Sequence, residues 1–267
     1  MEIFNYSFMI RALIAGLLLA LSVPCVGTVV VLKRLSMIGD ALSHAALAGV
    51  VLGLVLGIYP MLGAFAACIA AALMVELIRK KLKKYTELSI AIVMAAAIGI
   101  AGVLSGYVSS AKSFSSYLFG SIVAITNAEF LTIIIMSAAV IILFVLLYPA
   151  FFYITLDERL ARLGGVKTGA VNFIFTLLTA TTVAVAAGTV GALMVSSLMV
   201  LPVACALALA RSFKGTVLIS VAFAVGFTTC GIVISFYTDW KPGAAIVLTG
   251  VACFAVVSAI SRLRKNR

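Results

Sequence analysis

The chain has 267 residues, 65% of them hydrophobic and only 10% charged, where soluble domains average about 45–50% apolar and about 25% charged. Too few polar side chains are present to cover a soluble surface, so soluble enzymes, disordered tails and disulfide-stapled secreted modules are excluded. The net charge of +11, from 19 Lys and Arg against eight Asp and Glu, reads as loop charge on a membrane protein rather than as a nucleic-acid footprint.

At about 20 apolar residues per crossing, the hydrophobic runs predict an all-α polytopic bundle occupying residues 1–267 as one transmembrane domain. Nine spans are expected near 12–32, 37–58, 61–78, 88–108, 129–149, 170–187, 190–210, 216–236 and 244–261. The cluster Arg79, Lys80, Lys81, Lys83, Lys84 belongs on the cytoplasmic side. Counting from it puts the N-terminus outside and the C-terminus inside, and sixteen of the nineteen basic residues then fall on the inner face. One missed span would invert every later loop. The first ten residues carry no Lys or Arg, so the first apolar run is expected to be a retained helix rather than a cleaved signal.

Within the second span, Ala41, Ala45, Gly49, Gly53 and Gly57 recur every four residues, a small-residue face that lets another helix approach closely. On a neighbouring stripe lie Asp40 and His44, the latter the only histidine. Spacing of four stacks them on one helix face. A carboxylate with an imidazole suits a divalent ion such as Zn²⁺ or, less strongly, Mn²⁺. The competing reading is an N-cap at Asp40 and an interhelical hydrogen bond at His44. A single histidine excludes a closed four-ligand structural zinc site within one chain and a His-Glu-x-x-His protease helix. The five cysteines, Cys25, Cys68, Cys205, Cys230 and Cys253, all fall within predicted spans without CxxC spacing and read as small buried residues.

Between the fifth and sixth spans, residues 155–166 predict a short amphipathic helix. Leu156, Leu160 and Leu163 share a face, Asp157 and Glu158 occupy the first turn beside Arg159, and Gly164-Gly165 ends it. Such a helix either lies on the membrane surface or docks a cytoplasmic partner. Gly165-Val166-Lys167-Thr168 lacks the glycine that a P-loop needs before its lysine, so any ATP-driven step belongs to another chain.

The run from Val31 to Ala45, with Gly39-Asp40-Ala41-Leu42-Ser43-His44 at its centre, resembles the signature of permeases of bacterial zinc and manganese ABC importers. Tyr117-Leu118-Phe119-Gly120-Ser121, Leu156 to Val166, and Val190 to Ala204 are similar, in order, to that family's segment before its fifth span, its coupling helix and its seventh-span motif. The turn Asp239-Trp240-Lys241-Pro242-Gly243 departs from the family's usual Asp-x-Pro-x-Gly.

The resemblance implies a homodimeric, non-enzymatic permease in a bacterial cytoplasmic membrane. It implies two ATPase subunits docked on the coupling helices and an extracytoplasmic metal-binding protein that delivers the ion. No cofactor resident in this chain is implied. By position, Asp40 and His44 become metal contacts; Leu156, Asp157, Glu158, Arg159, Leu160 and Leu163 become the ATPase-docking element. Tyr117, Phe119, Asp239 and Trp240 become candidates for the outer mouth, with interfacial aromatic anchoring as the alternative. Zinc is favoured over manganese because the spans offer an imidazole and few carboxylates. A secondary carrier is the rival; it would be expected to show more acidic residues in its spans and an internal repeat.

Overall fold

The computed structural model describes residues 7–81, 85–107, 117, 118, 120 and 125–265. Among the described residues, eleven α-helices have described bounds, in chain order: α1 Ser7–Leu32, α2 Ile38–Leu56, α3 Pro60–Lys81, α4 Thr86–Ser105, α5 Asn127–Leu146, α6 Tyr148–Leu156, α7 Glu158–Leu163, α8 Thr168–Thr189, α9 Val195–Leu209, α10 Phe213–Thr238 and α11 Pro242–Lys265. Eight of these are long and apolar enough to cross a membrane. The ninth expected span is α9, of only 15 residues, preceded by a 3-10 turn at Ala192–Met194 where the sequence had suggested helix from residue 190.

Contacts between helix ends establish the alternation. At one end, Lys33 after α1 donates to Asn172 of α8 at 2.6 Å, and Asn172 donates to Glu158 of α7 at 2.9 Å. Tyr148 of α6 packs on Phe213 at the start of α10, ring centroids 5.3 Å apart, and Ser261 of α11 donates to the Ala208 carbonyl of α9 at 3.4 Å. At the other end, Arg11 of α1 donates to Asn127 of α5 at 2.5 Å, and Ser235 of α10 donates to the Trp240 carbonyl before α11 at 2.6 Å. Nine helices therefore run alternately up and down, and the described basic segments at Lys33, Arg79, Arg159 and Arg211 share one end. That is the arrangement the charge count required. Lys83, Lys84 and Lys112 lie outside the described residues.

Burial sorts the helices. In α1, α2 and α8, 72% of the apolar stretch is buried inside the bundle, against 22–39% for α3, α4, α5, α10 and α11. The small-residue face of α2 is the reason it lies inside. A Cβ on Gly49 would collide with the Gly63 carbonyl of α3, and one on Gly63 with the Gly49 carbonyl, so the two backbones touch where neither has a side chain. Gly57, the last member of the expected stripe, instead ends α2: with φ +69 it takes the left-handed cap, the position where glycine avoids the Cβ penalty. Arg34 adopts the same conformation at φ 58, closing α1 through Arg34 N–H to Val31 and Leu35 N–H to Val30 bonds of 3.0 and 2.9 Å.

In hydrocarbon, buried hydroxyls have no water to turn to, and several of those in α8 return to their own helix. Thr179 donates to Phe175 at 2.8 Å and Thr182 to Leu178 at 2.7 Å, each one turn back. Helix α1 runs unbroken through Pro24. Beside the bond that proline disrupts, Cys25 Sγ lies 3.1 Å from the Leu21 carbonyl and Thr28 Oγ1 donates to the Pro24 carbonyl at 2.8 Å. The five cysteines are free.

Candidate metal path and docking face

Asp40 is the third residue of α2, and the N-cap is Met37 without a side-chain bond. The N-cap role is therefore not the one Asp40 plays, although its charge still complements the helix N-terminus by about 0.3–1 kcal/mol. His44 lies one turn further on the same face. Both side chains are half-buried, and neither makes a hydrogen bond or ion pair among the described residues, so the interhelical contact weighed for His44 is absent there. Ser43, between Gly39 and the Gly49 contact, buries a hydroxyl without a partner. No cluster of three or more His, Cys, Asp or Glu exists among the described residues. Asp40 and His44 thus supply two donors in the first two turns from the basic end, a pair suited to brief contact with a passing cation and not to holding one.

The segment after α5 differs from the single amphipathic helix read from sequence. It is two helices with a break at Asp157, whose backbone is extended (φ −158, ψ 117). Leu156 therefore closes α6, and Leu160 and Leu163 belong to α7. Asp157 is not in the first turn but caps it: Oδ1 accepts from Arg159 N–H at 2.6 Å and Leu160 N–H at 3.1 Å. Gly165 ends the motif as expected, with φ 86 and a Val166 N–H to Ala161 bond of 3.0 Å. Only Ala161 of α7 faces inward; Leu156, Leu160 and Leu163 are 69%, 65% and 84% exposed. Asp157→Ala is expected to loosen α7 by about 1 kcal/mol, seen as faster backbone amide exchange over residues 158–163 with the rest of the chain unchanged.

Beside α7 opens a cavity of about 850 Å³, lined among others by Glu76, Arg79, Arg159, Arg162 and Asn172. Its wall is charged, with one close ion pair and several hydrogen bonds around it. Arg79 pairs with Glu76 at 2.6 Å, and Arg162 Nε donates to Thr168 at 3.4 Å. Lys33 Nζ also stands 5.6 Å from the centre of the Phe175 ring, within cation–π range. Burial, followed by the neighbouring Arg79 charge, pushes the Lys33 ammonium down to about 8. Asn172 was not singled out from sequence. The available signal was an amide inside an otherwise apolar span, which in a membrane calls for a partner.

At the opposite end Tyr117 is half-buried against the core, and burial followed by the Glu129 carboxylate raises its hydroxyl above the ordinary tyrosine range. Glu129 closes a capping box with Thr126 at the start of α5. Asp239 is the left-handed C-cap of α10 (φ 55), which explains its place in the turn without invoking a ligand. Trp240 is exposed, and Phe119 lies outside the described residues. Gly120 (φ +78) sits against the Val190 carbonyl so closely that a Cβ would collide with it, pinning this segment to the end of α8.

The family model for the "ABC 3 transport family" matches residues 5–261. The chain belongs to the ABC 3 transport family. Among its relatives, a "probable metal transport system membrane protein" of Treponema pallidum is 33% identical over 265 residues, spanning 98% of this chain and 99% of that one. The manganese transport system membrane protein MntC of Listeria monocytogenes is 28% identical, covering 94% and 90%. The solved structure of PsaBC from Streptococcus pneumoniae in complex with Fab superposes with a TM-score of 0.86 at 25% identity, over 96% of this chain and 92% of that one. This ABC 3 family chain is therefore the multi-pass, non-catalytic permease of a bacterial ABC importer of divalent metal ions. Such a system implies an ATPase and a binding protein as partners.

Proposed function

We propose that this permease works as a homodimer that carries a divalent transition-metal ion from an extracytoplasmic binding protein to the cytoplasm by alternating access. The ion passes Asp40 and His44, and one ATPase docks on α7 of each copy. The observation that carries the docking assignment is the exposure of Leu160 and Leu163 on α7 and of Leu156 at the end of α6, in a surface otherwise rich in charge. Lipid-facing helices already account for exposed apolar residues elsewhere, but α7 lies at the basic end beside Arg79 and itself carries Arg159 and Arg162. The positive-inside rule places that end in the cytoplasm. When ATP draws the ATPases together, α7 moves with them and the helices rock about the metal path.

Manganese is the cargo placed first, because similar permeases are named for it. The Asp40 carboxylate and His44 imidazole suit zinc by themselves, but completed by water or carbonyl oxygen they form a set that Mn²⁺ also accepts. The similar Listeria protein is named for manganese. Zinc, favoured in the sequence reading for the imidazole, is the second reading: a path between two copies would bring two His44 rings and two Asp40 carboxylates together, a better set for Zn²⁺. Uptake of radioactive Mn²⁺ in cells expressing the chain with its ATPase and binding protein, challenged with excess Zn²⁺, separates them. Weak competition by zinc supports manganese; complete competition, with zinc accumulating instead, reverses the order.

The docking face has its own test. Arg159→Glu or Leu160→Asp is expected to abolish copurification of the ATPase while leaving the permease folded, because both side chains are exposed. Undiminished copurification with both variants would falsify the assignment of α7.

A further inference from the structure

Glu158 belongs to α7, Asn172 to the first turns of α8, and Lys33 to the turn that follows α1. A single amide joins all three. The Asn172 Oδ1 accepts from Lys33 Nζ at 2.6 Å, and its Nδ2 donates to Glu158 Oε1 at 2.9 Å. Only a side chain with both an acceptor and a donor can bridge an ammonium to a carboxylate in this way, and both bonds are charge-assisted, hence among the stronger kind. α8 and α1 are two of the most buried helices in the bundle, whereas α7 is a six-residue surface element with one buried residue.

We propose that Asn172 is the positioning residue of a Glu158–Asn172–Lys33 link that transmits movement of α7 into α8 and α1. This rests on the docking of the ATPase at α7. The link is stiff because it sits at a half-buried place: Lys33 is flanked by the Phe175 ring. It also reaches further into the bundle than the other side-chain contact of α7. A pull on α7 reaches Lys33 through Asn172, while the Arg162–Thr168 contact at 3.4 Å holds α7 only to the first residue of α8.

The groups facing Lys33 are Arg79 and Glu76 from α3 and Glu158 from α7, with Arg34 adjacent in the chain. Its ammonium, pushed down to about 8, is charged below that pH and neutral above it, and the bond to Asn172 then loses its charge assistance. Arginine stays protonated across the range.

The test uses the permease–ATPase complex in proteoliposomes, reading Mn²⁺ uptake delivered by the binding protein and ATP hydrolysis in the same sample. Asn172→Asp keeps the size and the acceptor for Lys33 but sets a carboxylate against Glu158. Metal moved per ATP is expected to fall about fivefold or more, the scale of a coupling between distinct sites, with the ATPase still copurifying. Glu158→Gln in that background restores a donor to the carboxylate, and coupling is expected to return to within about twofold of wild type. In the wild type the ratio is expected to decline from pH 7 to pH 9, and with Lys33→Arg to stay level. Unchanged coupling in Asn172→Asp, failure of the double variant to recover, or loss of the ATPase from the Asn172→Asp complex each overturns the link. A wild-type complex that lacks the ATPase altogether overturns the docking assignment instead, and the link with it.

Discussion

Metal uptake is expected to fall at least about tenfold when Asp40 or His44 is replaced by alanine, since losing even a residue that only supports a ligand costs about 10–100-fold in metal affinity. The expectation is sharp because neither side chain has another task. Asp40 does not cap α2, and its favourable placement in the helix dipole is worth at most about 1 kcal/mol, too little to unfold a bundle of this size. His44 bonds to nothing among the described residues. Permease abundance and ATPase copurification should therefore stay at wild-type levels while accumulation of the metal collapses. Asp40→Asn separates charge from shape: it keeps the side-chain volume and is expected to lose uptake as fully as alanine. Full uptake by Asp40→Ala and His44→Ala together would remove the metal-contact role and leave the family assignment standing.

The second large effect is on folding. Gly49→Val and Gly63→Val are each expected to destabilise the permease by about 3 kcal/mol or more, the upper end for overpacking, because each new side chain meets backbone of the other helix rather than a movable side chain. A backbone carbonyl cannot step aside without moving its whole helix. Gly99→Val and Gly102→Val in α4 are the controls: nothing lies within 4 Å of a Cβ at either place. The first pair should lower both the yield of monodisperse protein in detergent and its thermal midpoint, and the second pair should leave both nearly unchanged. Equal behaviour of the two pairs would show that α2 and α3 do not pack through their glycines.

The parts legible in the sequence are those written in period and charge. The small-residue stripe from Ala41 to Gly53 repeats at helical spacing, so its burial could be read without a partner in view. The basic residues from Lys33 to Arg211 marked one end of the bundle because orientation is a sum over loops, robust to errors at any one boundary. What escaped depended on single residues acting across long separations. The break at Asp157 turns one amphipathic pattern into two helices, and a hydrophobic repeat continues through such a break unaltered. Asn172 gains its meaning from Lys33, 139 positions away, a pairing no local window contains. Nor did the seventh span reveal that its first turns are not α-helical: Val190 to Met194 is apolar either way, and only Gly191 at φ 100 shows where the backbone turns.

That short α9 has a consequence for how the permease answers to its bilayer. Fifteen residues rise about 22 Å at 1.5 Å each, short of a hydrocarbon core about 30 Å thick. The non-helical backbone that completes the crossing is tolerated because protein surrounds it: Val190, Ala192 and Val195 are almost fully buried. α9 is therefore shielded from hydrophobic mismatch. A thicker or thinner membrane acts on the lipid-facing helices α3, α4, α5, α10 and α11, which can tilt to match it, while the buried helices beside the metal path keep their lengths and their spacing.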